Sequence, residues 1–187
     1  VLGLAETGTG KTAAFVLPIL QRLMQGQRGR IRALIIAPTR ELSEQTHEAI
    51  MQLGRKTKLS SASIYGGVSI VNQINKLRSR VDIVSACPGR LLDHISRGTI
   101  DMSSVEVLVL DEADHMFDMG FLPEVRKIVR HLPAHRQTLL FSASMPDEIR
   151  SLANDLLNDP VNIQLGNYAP VMTVSTPFHP VQPEPHT

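Results

Sequence analysis

The sequence has no tryptophan, a single cysteine and only 4% aromatic residues. With so few rings available, any core has to be built from valine, isoleucine and leucine. The lone Cys87 excludes an internal disulfide and agrees with a reducing compartment. No apolar run reaches the roughly 20 residues that a helix needs to cross a bilayer. Gly3, Glu6 and Lys11 interrupt the opening segment, so no signal peptide is expected. An excess of charge is also lacking: 19 Lys and Arg stand against 18 Asp and Glu, a net of +1, so overall charge does not announce a nucleic-acid partner. These absences lead us to expect a soluble, cytoplasmic, monomeric chain. Three small basic groups, Arg28/Arg30/Arg32, Arg55/Lys56/Lys58 and Lys76/Arg78/Arg80, read as solvated faces.

What is present is a regular alternation. Short apolar runs at Ala33–Ala37, Ser61–Tyr65, Val81–Ala86, Val105–Leu110, Thr138–Ser142 and Val161–Leu165 read as strands. Amphipathic segments at Thr12–Met24, Glu41–Leu53, Ile70–Leu77, Arg90–Ile95, Leu122–His131 and Asp147–Leu157 read as helices. Strand and helix alternate throughout, and several strands are almost continuous in Val, Ile and Leu. That pattern predicts an α/β fold of three layers, a mostly parallel sheet with helices on both faces. Ligands then belong at the carboxyl ends of the strands. At 187 residues one domain is expected, over residues 1–166, with a proline-rich linker at residues 167–187.

The segment Ala5-Glu6-Thr7-Gly8-Thr9-Gly10-Lys11-Thr12, followed at once by a helical pattern, is a phosphate-loop signature with Ala5 where glycine is usual. Gly8 and Gly10 allow the backbone to curl so that N–H groups converge on an anion, and the helix start adds its positive dipole end. Lys11 is placed to reach the β- and γ-phosphates, and Thr12 to supply a hydroxyl to Mg²⁺. A glycine-rich turn that merely caps a helix is the plainer alternative. The buried strand ending in Asp111-Glu112-Ala113-Asp114 weighs against it, because three carboxylates at a strand tip call for a cation. Asp111 is the expected Mg²⁺ holder, partly through water, and Glu112 the group that polarises an attacking water.

Asp111-Glu112-Ala113-Asp114, together with four further stretches, resembles the DEAD-box ATP-dependent RNA helicases. Pro38-Thr39-Arg40-Glu41-Leu42, Gly66-Gly67, Pro88-Gly89-Arg90 and Ser142-Ala143-Ser144 match, in order, the family's motif Ia, glycine doublet, motif Ib and motif III. Cys87 stands where motif Ib usually begins with threonine, and Ser144 where motif III usually ends in threonine. The resemblance implies a RecA-like phosphate-loop domain that binds ATP with Mg²⁺ and grips the sugar–phosphate backbone of one RNA strand without reading bases. Glu6, Thr7, Gly8, Thr9, Gly10, Lys11 and Thr12 would hold the nucleotide, with Lys11, Asp111 and Glu112 carrying the chemistry and Thr12 and Asp111 the metal. Pro38, Thr39, Arg40, Gly66, Gly67, Pro88, Gly89 and Arg90 would contact RNA, and Asp114, Ser142 and Ser144 would couple the two sites.

The residue types suit those roles: Arg40 and Arg90 can pair with phosphates, Thr39 can donate a hydroxyl bond, and the glycines permit close backbone approach. His115, Met116 and Phe117 read as packing and helix-start residues. The resemblance further implies an adenine-reading segment upstream, and a second RecA-like domain downstream that brings arginines to the transition state. Without them this chain is expected to turn over little ATP. A DNA-directed motor with the same core and a catalytically idle RNA-binding module remain alternatives.

Overall fold

The computed structural model describes residues 1–6 and 8–165; the expected linker at 167–187 lies outside the described residues. Among the described residues seven strands are formed: β1 (Leu2–Leu4), β2 (Ala33–Ile36), β3 (Ser61–Ile64), β4 (Ile83–Ala86), β5 (Val107–Leu110), β6 (Gln137–Ser142) and β7 (Asn162–Gln164). They make one sheet in the order β3-β4-β2-β5-β6-β1-β7, with every pairing parallel. The helices are α1 (Lys11–Leu23), α2 (Arg40–Leu53), α3 (Ile70–Arg78), α4 (Pro88–Ser96), α5 (Ala113–Asp118), α6 (Leu122–Val129) and α7 (Asp147–Leu156).

Side chains alternate across a strand, so each central strand feeds two cores. Ala33, Ile35, Ile83, Val107 and Val109 point to one face, where Phe15, Val16, Ile19, Leu20 and Leu23 of α1 and Ile50 of α2 cover them. Leu34, Ile36, Ala62, Ile64, Val84, Leu108 and Leu110 point to the other, against Leu91, Met116, Val125, Ile128, Ile149 and Leu152 of the later helices. The three layers expected from the alternation are therefore present. Pro18 sits inside α1 without ending it. Its ring removes one backbone donor, but five apolar side chains of that helix are packed on the sheet, and that burial outweighs the lost bond.

The sequence expectations match the starts of β2 and β3 and overshoot those of β4 and β5. Val81 and Val105 are buried, yet each precedes its ladder by two residues, since these segments arrive through turns. Asp82 fixes one such turn by accepting the amides of Gly29 at 2.7 Å and Ser60 at 2.9 Å. Arg32, read from sequence as part of a solvated basic group, is instead buried. Its guanidinium forks onto Glu106 at 2.6 and 3.3 Å and donates to the carbonyls of Leu23 and Gln25. It thereby satisfies the last turn of α1, whose carbonyls have no partner within the helix. Helix α5, not delimited in the sequence, grows directly out of the Asp111–Asp114 stretch and seats Met116 in the core.

Candidate nucleotide and nucleic-acid site

The sheet order sorts the sequence motifs into two groups. Strands β5, β6 and β1 are neighbours, and their carboxyl ends carry Asp111, Ser142 and Ala5. Strands β3, β4 and β2 are neighbours on the other half, and their ends lead into Tyr65–Val68, Cys87–Arg90 and Pro38–Arg40.

On the first half, Gly8 and Gly10 take φ of 84° and 86°, the left-handed region in which a side chain is strained. A Cβ at either position would meet nothing within 4 Å, so conformation, not crowding within the protein, calls for glycine there. Gly10 caps α1, whose first residue, Lys11, is only 8% exposed. The Lys11 ammonium turns back over the loop and donates to the Ala5 carbonyl at 2.8 Å, and the Thr9 hydroxyl donates to the Glu6 carbonyl at 2.8 Å. Thr7 lies outside the described residues. Thr12 stands half-buried in the first turn of α1.

Asp111 faces this loop from the end of β5 and is 5% exposed. Its Oδ1 is buried without a hydrogen-bond partner. Burial pushes its carboxyl up to about 6, the Lys11 ammonium opposes that rise, and the neighbouring Glu112 carboxylate adds to it. A buried carboxylate with an unpartnered oxygen, close to the Lys11 ammonium at the start of α1, fits a hydrated Mg²⁺, which takes one or two protein carboxylates and completes its shell with water and phosphate. Glu112 follows with φ of 54°, left-handed for a residue with a side chain, as it swings from the strand into α5. Such strain persists where surrounding structure enforces it, commonly at functional sites.

The three carboxylates do not converge on one point, contrary to the cluster expected from sequence; among the described residues no group of three or more His, Cys, Asp and Glu side chains is arranged to hold a metal. Asp114 is turned away to β6. Its Oδ2 accepts the Ala143 amide at 3.1 Å, the Ser144 amide at 2.9 Å and the Ser144 hydroxyl at 3.2 Å. Its own amide donates to the Ser142 hydroxyl at 3.1 Å. Burial alone would raise the Asp114 carboxyl, but these hydrogen bonds hold it below its ordinary value. Asp114, Ser142 and Ser144 are thus physically joined, through backbone amides as much as hydroxyls.

On the second half, Arg40 is exposed and its guanidinium carbon lies 4.9 Å from the Tyr65 ring centroid. Thr39 caps α2 by accepting the Leu42 amide at 3.3 Å. Gly66, Gly67 and Gly89 are exposed, and Gly67 has φ of 79°. Pro38 and Pro88 are buried and shape the backbone; Pro88 opens α4 in its first turn. Arg90 is largely spoken for within the protein: one guanidinium nitrogen donates to the Val68 carbonyl at 3.0 Å and to Gln73 Oε1 at 3.2 Å. Cys87 caps α4 without a side-chain hydrogen bond, and burial, with Glu41 nearby, pushes its thiol up to about 11. Tyr65 and Gln73 were not singled out in the sequence. Tyr65 sits next to the glycine doublet, and Gln73 is a polar residue at an inward position of α3; these were the available signals.

The profile of the DEAD/DEAH box helicases matches residues 1–152. The chain belongs to the DEAD/DEAH box helicase family. This DEAD-box chain is 46% identical over 160 residues to the DEAD-box ATP-dependent RNA helicase CshA of Geobacillus kaustophilus, covering 86% of the chain and 34% of that relative. It is 45% identical over 165 residues to the ATP-dependent RNA helicase CshA of Limosilactobacillus reuteri, with 88% and 33% covered. The chain therefore spans about a third of the length of these curated relatives. Among solved structures, a DEAD box protein from Methanococcus jannaschii aligns with TM-score 0.80 and 42% identity over 87% of the chain and 44% of its own. A hypothetical ATP-dependent RNA helicase from Sulfolobus tokodaii aligns with TM-score 0.80 and 41% identity, over 88% and 47%. The RecA-like architecture expected from the resemblance is the fold found. No helix among the described residues is long and apolar enough to cross a membrane.

Proposed function

We propose that this chain is the nucleotide-binding motor domain of an ATP-dependent RNA helicase, holding Mg²⁺-ATP on one half of its sheet and the backbone of one RNA strand on the other. The observation that carries the proposal is the buried, unpartnered Asp111 oxygen facing the left-handed glycine loop and Lys11. Amides of residues 8–11 and the Lys11 ammonium bind the triphosphate; for that, Lys11 leaves the Ala5 carbonyl. Thr12 and Asp111 would hold Mg²⁺, which would neutralise phosphate charge. Glu112 orients the attacking water and accepts its proton as the bond to the terminal phosphorus forms and the bond to ADP breaks. Asp114 transmits the nucleotide state through the Ala143 and Ser144 amides into β6.

RNA is favoured over DNA because the curated relatives from Geobacillus kaustophilus and Limosilactobacillus reuteri are RNA helicases. Exposed Arg40, Thr39 and the glycine amides suit phosphate and sugar contacts that position a strand without reading it. Because the curated relatives are about three times as long, we assign turnover to the two-domain protein and expect the 187-residue chain alone to hydrolyse ATP near background. A cytoplasmic, monomeric chain is part of the same proposal.

The test is ATPase activity of the full-length protein with single-stranded RNA or DNA of the same sequence. Stimulation by RNA, with loss of about 10²-fold or more in Lys11→Ala and Glu112→Gln, is expected. Unchanged turnover in either variant overturns the assigned chemistry, and equal stimulation by DNA overturns the choice of RNA.

A further inference from the structure

Among the residues of helix α3 one is buried, and it is polar: Gln73, 6% exposed. A short surface helix normally packs by an apolar stripe, so a buried amide has to be accounted for by its partners. Gln73 has three. Its Nε2 donates to the Tyr65 carbonyl at 2.8 Å. Its Oε1 accepts from Arg90 at 3.2 Å and from His94 Nε2 at 3.0 Å. The orientation of the amide follows from chemistry, because the reverse would set its NH₂ against a guanidinium that can only donate.

These partners belong to different segments. Tyr65 opens the glycine loop after β3 and carries Arg40 stacked on its ring. Arg90 also ties the far end of that loop through the Val68 carbonyl. His94 lies one turn further along α4, fully buried, with its other nitrogen 2.8 Å from the Thr99 hydroxyl. One amide therefore joins the segments that follow β3 and β4, and the Tyr65 ring adds Arg40 from the segment after β2; together these form the surface assigned above to the RNA backbone. Leu or Met at this position would fill the space and make none of the bonds, while Glu would keep both acceptor bonds and lose the donor to Tyr65.

We infer that Gln73 is a positioning residue for the nucleic-acid strand: it holds the 65–68 loop, Arg90 and, through Tyr65, Arg40 in the arrangement that receives the sugar–phosphate backbone. The inference rests on the RNA-surface reading above. Gln73 touches no phosphate itself; it removes from the binding step the cost of ordering the loop.

The experiment is RNA-stimulated ATPase of the full-length protein, with the KM for RNA and the kcat at saturating RNA measured for wild type, Gln73→Met, Gln73→Glu and Arg40→Ala. Gln73→Met is expected to raise the RNA KM about tenfold with kcat within about twofold, since loop ordering now falls to the binding step. Gln73→Glu, which keeps the Arg90 and His94 bonds and serves if the Met variant fails to fold, is expected to raise it about threefold. Amide exchange at residues 65–69 should quicken in both variants while that of β5 stays unchanged. A folded Gln73 variant with wild-type RNA KM overturns the inference, provided Arg40→Ala does raise it. If Arg40→Ala leaves the RNA KM unchanged as well, the surface reading itself fails and takes the inference with it. A fall in kcat with faster exchange throughout the sheet also overturns the inference, because it marks a merely structural residue.

Discussion

Two buried charges of this chain differ in how they are accommodated, and the difference separates structure from chemistry. Arg32 is matched: Glu106 and three backbone carbonyls take its donors, and the Arg32 bonds hold the Glu106 carboxyl below its ordinary value. Arg32→Ala should therefore destabilise the fold by about 3 kcal/mol, since it strands the end of α1 and leaves Glu106 facing the gap. Arg32→Lys should recover little, because an ammonium cannot fork. Urea unfolding of the three proteins checks both statements. Asp111 is unmatched, with one oxygen lacking any partner. Asp111→Asn is expected to raise the thermal midpoint of the ligand-free protein by about 2–4 °C, the shift that follows from relieving ~1 kcal/mol. The same change should abolish Mg²⁺-dependent nucleotide binding. A lower midpoint would show that the carboxylate is structural. From sequence Asp111 already stood out as the expected Mg²⁺ holder, whereas Arg32 read as one member of a solvated basic group. What buries Arg32 is the chain's return at Glu106, and a contact across that separation leaves no trace in local spacing.

At the scale of elements, the helices were legible because the helical period and the caps agree. Thr39 before α2, the glycine loop before α1 and Pro88 opening α4 all stand where the chain changes direction. Helix α5 was the exception: six residues are too few for a period to show, and it starts from a left-handed Glu112 that no propensity favours. Helix α4 carries a departure with a measurable consequence. Cys87 caps it with a thiol that makes no hydrogen bond. Cys87→Thr supplies an oxygen acceptor for the first-turn amides, and about 1 kcal/mol of added stability is expected by chemical denaturation. No gain would mean that the hydroxyl is diverted elsewhere, for instance toward Glu41, the charge that reaches this thiol.

For the whole molecule, the order of strands explains why motifs scattered over more than 100 residues of sequence fall into two groups: parallel strands present all their carboxyl ends on one edge. That much followed from the alternation of runs. Which strands neighbour which did not, because crossovers that skip a strand leave the same local pattern as those that do not; the division into a β5-β6-β1 half and a β3-β4-β2 half is a finding of the structure. A global consequence concerns pH. Burial lowers the pKa of His47 and of His94 below the ordinary 6.5. Both are neutral in the fold and protonate more readily in the unfolded chain, so their contribution is complete above pH 6.5 and is lost as pH falls from there toward their folded values. Asp111, raised to about 6, titrates in the same window with the opposite sign, so the measurement is made in the Asp111→Asn variant. There the unfolding free energy from pH 7.5 to 5 should decline, and His94→Gln should flatten the decline; an unchanged slope would remove His94 from the account.

The central claim is that residues 8–12 and Asp111 form one Mg²⁺-nucleotide site. It is tested most directly by amide chemical shifts of the described domain during titration with Mg²⁺-ATP. Saturable shifts confined to residues 8–12, 111–114 and 142–144 are expected, dependent on Mg²⁺ and absent in Lys11→Ala, whose other resonances should stay in place. Shifts that centre elsewhere, or that persist undiminished in Lys11→Ala, would contradict the claim.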